Sequence, residues 1–199
     1  MANSIFDTVS AQAFRAGIKS RTPESEERFG KKIKELAIPS RTQVLKDSAL
    51  TRQTKILPGD MCMYFYDPKH KETLPYYDRF PLTIMVEPAP GGFYGLNLHY
   101  LNPVARARLV NELFKLAPKD LKDDSRLRKM RYDLLKGVQK YKEFQPCFKH
   151  YLMDHVKSQF SRVPMTDWEI AIYLPLQQFK KKSSRTVWKD STKQYRQKK

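Results

Sequence analysis

Three sets of residues have types and spacings that could do chemistry. The first is carboxylates. Asp167 and Glu169 flank Trp168, and Asp78 stands beside Arg79 in the run Tyr76 to Phe80. A Mg²⁺-dependent nuclease would want clustered carboxylates with a nearby lysine, but the segment Ile170 to Leu174 holds none. Asp78 with Arg79 reads better as an ion pair that fixes a loop, because buried carboxylates and tyrosines need partners. The second set is imidazoles and thiols. His70, His99, His150 and His155, with Cys62 and Cys147, show no paired metal-ligand spacing, so neither a metal nor a cofactor is expected. His99 and His155 sit in apolar patterns and read as hydrogen-bonded core histidines. The two cysteines are too few for a disulfide framework, and their apolar neighbours suggest buried, reduced thiols. No glycine-rich phosphate loop is present, and no serine or cysteine has a nucleophile's setting. The expected activity is binding, not catalysis.

The third set is cationic. Lys180, Lys181, Lys182, Arg185, Lys189, Lys193, Arg196, Lys198 and Lys199 are interleaved with Trp188 and Tyr195. Cations pair with phosphates, and aromatic rings stack or wedge against a partner. A merely solubilising tail has no need of Val187 and Trp188. An acidic protein groove would serve these residues as well as DNA would. A second basic set, Arg126, Arg128, Lys129, Arg131, Lys136 and Lys140, lies opposite Leu127, Met130, Leu134, Val138 and Tyr141 on a helix expected over 125–141. That face either lies along phosphates or is simply solvated. Asp123, Asp124 and Asp133 dilute its field.

The charge map sharpens this. The chain of 199 residues carries +17, from 38 Lys and Arg against 21 Asp and Glu. Residues 1–57 hold +5, residues 58–179 only +4, and residues 180–199 hold +8. The middle is thus nearly balanced, as an ordinary globular domain is. A like-charged block such as the last one reads as an interaction tail, disordered until it meets its partner. A hydrophobic share of 40% is enough to build a core. No apolar run reaches the ~18 residues a membrane span needs, and Met1 to Ser10 has no basic segment followed by an apolar one.

The elements that must position these residues follow from periodicity and turn chemistry. Ile5 to Ile18 and Ser25 to Leu36 are candidate short helices, and Ser40 to Leu57 reads as an extended arm. Pro58-Gly59-Asp60 is a turn. Met61 to Tyr66, Phe80 to Glu87 and Phe93 to Leu101 are strands, the last two joined by a hairpin at Pro88 to Gly92. Gly95 inside a strand implies a bulge or a close backbone approach. Pro103 opens a helix with Leu109, Val110, Leu113 and Phe114 on its apolar face. Pro146 opens another, striped by Phe148, Tyr151, Leu152, His155 and Phe160. Asp167 to Leu174 closes the domain as a strand.

The expected fold is therefore α+β. It consists of a small SH3-like, partly open β-barrel over residues 58–179 with a helical insertion over 103–160. An extended N-terminal arm with short helices (1–57) and a basic C-terminal tail (180–199) flank it.

Several runs are distinctive in residue type. They are Met63 to Lys69, Leu74 to Leu82, Gly92 to Leu101, Phe144 to Leu152, Trp168 to Pro175 and Val187 to Ser191. Over about residues 58–191 the chain resembles small virion proteins of contractile-tailed bacteriophages of the T-even-like and cyanophage groups, with the DNA end protectors fitting best. The resemblance implies a virion protein assembled in the host cytoplasm as part of a multi-subunit particle. It would bind double-stranded DNA at the packaged genome end and shield it from exonuclease. The nearest competitor is a connector of the neck, tail or baseplate, whose arm and tail bind other virion proteins. The resemblance carries over no site residues.

Overall fold

The computed structural model describes residues 4–15, 39–115, 137 and 142–197. The chain begins with helix α1 (Ile5–Arg15), whose start is closed reciprocally by Ser4 and Asp7: each backbone N–H donates to the other's side chain. Helix α2 (Arg41–Lys46) carries a capping box from Ser40 and Gln43, a device that contributes about 1 kcal/mol. The extended arm expected over 40–57 is therefore corrected to a helix and then a short strand.

Eight strands follow: β1 (Thr51–Gln53), β2 (Met61–Met63), β3 (Tyr77–Asp78), β4 (Leu82–Ala89), β5 (Gly92–Asn97), β6 (Phe148–Leu152), β7 (Phe160–Arg162) and β8 (Phe179–Lys180). Six of them form one antiparallel sheet in the order β1-β7-β2-β4-β5-β6, and β3 pairs with β8 separately. The sheet is open, with β1 and β6 as its edges. The α+β class stands, but the sheet does not close into the expected barrel. Two further expectations are corrected. The helix at 146–160 is a 3-10 turn (Lys142–Cys147) followed by β6, a second 3-10 turn and β7. The expected helical insertion thus contains β6 and the first residue of β7. The closing strand at 167–174 is instead the short helix α4 (Trp168–Ala171) after a 3-10 turn. Helix α3 (Pro103–Lys115) begins at its proline as expected, with Leu109, Val110 and Leu113 buried. Helix α5 (Ser184–Gln197) spans most of what was read as a disordered tail.

The β4–β5 hairpin shows why glycine is needed. Gly91 adopts φ 70 in its two-residue turn. A Cβ at Gly92 would run into the Tyr151 carbonyl of β6, and one at Gly95 into the Thr83 side chain. Both are close approaches that only a missing side chain permits. The register also slips between Met85 and Glu87, opposite Gly95 and Tyr94.

The sheet is covered on both faces. On one, Met61, Met63, Leu82, Ile84 and Leu96 pack against Phe6, Val9, Val44, Trp168 and Val187. These partners come from α1, α2, α4 and α5, so both ends of the chain contribute to the main core. On the other face Tyr64, Tyr66, Phe93, Tyr151 and Phe160 form a ring cluster with mostly edge-to-face contacts. Each such pair contributes about 0.5–1.5 kcal/mol beyond its burial. None of the described helices is long and apolar enough to cross a membrane.

Candidate functional site

The structure divides the polar residues into an inner set and an outer set, and α5 joins them. The inner set centres on Asp78. Its Oδ1 accepts N–H bonds from Phe80 (3.0 Å) and Gln178 (2.8 Å), and its Oδ2 lies 2.7 Å from His99 Nδ1. The partner of Asp78 is thus His99 and not the neighbouring Arg79. His99 reads correctly as a hydrogen-bonded core histidine: its side chain is fully buried. Arg106 is buried as well. Its guanidinium donates to three carbonyls, Leu101 (2.8 Å), Ile172 (2.9 Å) and His99 (3.3 Å). Asp78 is the acidic group whose charge favours the buried guanidinium.

Burial alone would push the Asp78 carboxyl up. The contact with His99 and the two backbone N–H bonds outweigh it and hold the group below the usual carboxylate range. Burial pushes His99 down, against the pull of Asp78 and with the repulsion of Arg106. Its Nε2 has no partner among the described residues, so a second proton there would be stranded. A neutral ring donating from Nδ1 to an ionised Asp78 satisfies both. Burial also pushes Arg106 down, to about 10, which leaves it charged at neutral pH. The Cys147 thiol is pushed up to about 12 by burial and is inert. Both cysteines are free and buried. With all of Asp78's oxygens occupied and no surface exposed, the cluster is a structural brace. Among the described residues no three His, Cys, Asp or Glu side chains converge on one point. His155, by contrast, sits half-buried in a 3-10 turn with Nδ1 2.7 Å from the Asp67 carbonyl.

Helix α5 is locked to this brace. Ser183 caps its start, accepting from Thr186 N–H, and Val187 is fully buried. Trp188 Nε1 donates to the His99 carbonyl at 2.8 Å, and the Arg106 guanidinium lies 5.5 Å from its ring centre. Trp188, read as an anchor waiting for a partner, is thus met by the chain's own core. Lys181 and Lys182 are also engaged. Lys181, at φ 68, donates to the Glu72 and Leu74 carbonyls, and Lys182 pairs with Asp190 at 2.8 Å beside the Tyr76 ring.

The outer set is what remains. Arg185, Lys189 and Lys193 are exposed, and so is Lys180 on β8. The three helical cations recur every fourth residue, which places them along one side of α5 about 6 Å apart. Seven of the residues singled out from the sequence lie in this segment's described side chains, and the structure separates them: Trp188 turns inward, Lys181 and Lys182 are exposed but bonded to partners in the chain, and Lys180, Arg185, Lys189 and Lys193 face out. Tyr195 and Arg196 continue the backbone of α5 with side chains outside the described set, and Lys198 and Lys199 lie beyond it. Arg126, Arg128, Lys129, Arg131, Lys136 and Lys140, on the basic helix expected over 125–141, also lie outside the described residues. Arg106 was missed by sequence reasoning, since a lone arginine in a helix reads as solvated. Its position one turn before Leu109 and Val110, on their face, was the available signal.

A groove of about 450 Å³ opens beside α5. It lies between the start of α3 and the 3-10 turns at 98–100 and 142–147, with Trp188, Ser191 and Thr192 on the α5 side.

The family described as Phage T4 terminal DNA protecting protein matches residues 7–195 of this chain. No curated protein and no solved structure matches it.

Proposed function

The chain belongs to the family of the phage T4 terminal DNA protecting protein, and from that membership we propose that it is a non-catalytic virion protein that binds double-stranded DNA at the packaged genome end. One observation carries the choice of surface: the exposed stripe Arg185, Lys189, Lys193 on a helix whose other side is fixed in the core. A row of cations on a rigid support can neutralise successive phosphates of one strand and release their counterions, without reading sequence. Lys180, Arg196, Lys198 and Lys199 extend the same field, and the basic set Arg126, Arg128, Lys129, Arg131, Lys136 and Lys140 supplies further phosphate contacts. An end covered this way is closed to an exonuclease that loads on a free terminus.

The test is duplex affinity against salt. Replacing Arg185, Lys189 and Lys193 together by alanine should flatten the log–log salt slope by ~2.7, from ~0.9 for each phosphate no longer neutralised. The full chain should also slow exonuclease digestion of a linear duplex. An unchanged slope sinks the assignment of this surface. The competing reading is a neck, tail or baseplate connector held through apolar side chains of residues 1–57. Val9 is buried in this chain's main core and Ile5 packs against it, whereas Phe14 is 76% exposed and Ile18, Phe29, Ile33 and Leu36 lie outside the described residues. DNA binding leads on the family membership.

A further inference from the structure

The groove beside α5 has features that the phosphate stripe does not use. Tyr100, Phe144 and Trp188 give it aromatic walls, and Arg108, Ser191 and Thr192 line it as well. Ser191 is 95% buried, being only 5% exposed, and its hydroxyl has no hydrogen-bond partner among the described residues. An orphaned buried hydroxyl destabilises the fold, so its presence at a groove wall points to a ligand that satisfies it. The volume of about 450 Å³ falls in the usual range for small-ligand sites of about 300–1,000 Å³. At about 100° per residue, Thr192 falls between the groove side of α5 (Trp188, Ser191) and the stripe of Arg185, Lys189 and Lys193. The groove and the cationic stripe are therefore neighbours on one helix.

We propose that this groove receives an unpaired nucleotide at the terminus of a DNA duplex. The aromatic walls take the base face, the Ser191 hydroxyl meets a heteroatom of the base edge, and Arg108 meets the phosphate side. The choice of occupant rests on the DNA-binding reading above and on charge: the groove is flanked by cations, and a nucleotide joins an aromatic face, hydrogen-bonding edges and an anion in one group. Stacking tolerates any base, which suits a protein that must hold an end of whatever sequence. It also distinguishes an end from duplex interior, where bases are not free to leave the stack.

The experiment compares three fluorescent DNAs of the same duplex sequence: blunt-ended, carrying a two-nucleotide single-stranded extension, and closed into a dumbbell without ends. The full chain should bind the extended duplex about tenfold more tightly than the other two, the size expected of one stacked base. Thr192→Trp, which fills the groove from an exposed position, should erase that preference and leave dumbbell affinity unchanged. Ser191→Ala should reduce the preference without loss of folded signal. Equal affinity for all three DNAs, or a preference that survives Thr192→Trp, overturns the nucleotide site while leaving duplex binding intact. Release of the extended duplex by a short poly-glutamate peptide at constant ionic strength would mark the groove as a protein-docking site and also overturns it. No binding to any of the three at low salt is a different result: it overturns the DNA-binding reading itself.

Discussion

Arg106 and Arg185 carry the same guanidinium and meet opposite environments. Arg106 is 1% exposed, with three carbonyls and the Trp188 ring around it, while Arg185 stands on the solvent side of α5. The first ties α3 to the 98–101 turn and to the residues after α4. The second makes no hydrogen bond or ion pair among the described residues. Between them lies one helix, whose inner side is held by Val187 and Trp188. A cation inside a protein must be paired and hydrogen-bonded and so becomes part of the architecture. A cation outside keeps its hydration and remains available to a polyanion. The +8 carried by residues 180–199 is thus not a uniform tail property. It is divided into charges that hold the helix and charges that the helix presents.

The comparison is broken most severely from the inside. Arg106→Met should cost about 3–5 kcal/mol, because Asp78 loses a buried counter-charge and three carbonyls each lose a donor, the His99 carbonyl keeping Trp188. Urea unfolding measures it. A loss below about 1 kcal/mol would mean that water reaches the site and that the inner and outer sets differ less than the structure indicates.

Asp78 comes next, and its effect depends on pH. Asp78→Asn removes a charged acceptor of several bonds, each worth about 1.5–3 kcal/mol. Asp78 is held below its usual 3.8 in the folded state, so stability it contributes above that value is lost as pH falls below it. His99 is held below its usual 6.5, so the unfolded chain takes up a proton that the folded chain refuses. Both shifts have the same sign: stability falls as pH drops, first below 6.5 through His99 and again below 3.8 through Asp78. Melting temperature recorded from pH 8 to 3 should show the two steps, and His99→Gln should remove the upper one. A melting temperature that rises between pH 7 and 5 would show that the ring is charged in the folded protein.

Trp188 is the joint between the two sets, and its effect is smaller. Trp188→Phe keeps a ring but removes the N–H that donates to the His99 carbonyl. A loss of about 1 kcal/mol is expected, together with weaker DNA binding, because the stripe is then carried on a looser helix. Loss of stability with DNA affinity untouched would separate the two sets that the structure joins.

Which of these features were legible beforehand follows from how local they are. The strands expected at 61–66, 80–87 and 93–101 were readable in place, from bulky runs between turns made by Pro58-Gly59 and Pro90-Gly91, but not in extent. The ladders cover Met61–Met63, Leu82–Ala89 and Gly92–Asn97, and Leu98–Tyr100 turns into a 3-10 helix. The helix after Pro103 was readable from its 3.6-residue period. Phe148, Tyr151, Leu152 and His155 also have helical spacing, yet Phe148–Leu152 pairs with β5. A short apolar run takes the structure its neighbours offer, and the β5 edge offered a ladder. Trp168, Ile170 and Ile172 alternate like a strand but sit in a short helix and the turn after it. Ala171 and Leu174 are buried as well, with only Glu169 and Tyr173 partly exposed, so burial does not alternate and the alternation carried no information. In the last segment Val187, Trp188 and Ser191 already formed a helical stripe. What the sequence could not reveal is that the surface awaiting them belongs to the same chain, since that depends on where His99 and Arg106 are placed by contacts more than eighty residues distant.

The smallest effect tests the outer set by itself. Lys189 has Arg185 four residues before it and Lys193 four residues after it, with Thr186 and Thr192 at the three-residue spacings. Like charges at this spacing repel by about 0.2–0.5 kcal/mol per pair at low salt. The stripe therefore works against the helix that carries it. Lys189→Gln should stabilise the folded protein slightly, by about 0.4–1 kcal/mol in 10 mM salt from its two pairs, and the gain should vanish in 0.5 M salt as screening removes the repulsion. The same variant should weaken duplex binding and lower its salt slope by ~0.9. A residue whose removal helps folding and harms binding is one whose use lies outside the fold. If Lys189→Gln instead destabilised the protein, Lys189 would belong with Arg106 among the charges that hold the structure, and the division between inner and outer sets would have to be redrawn.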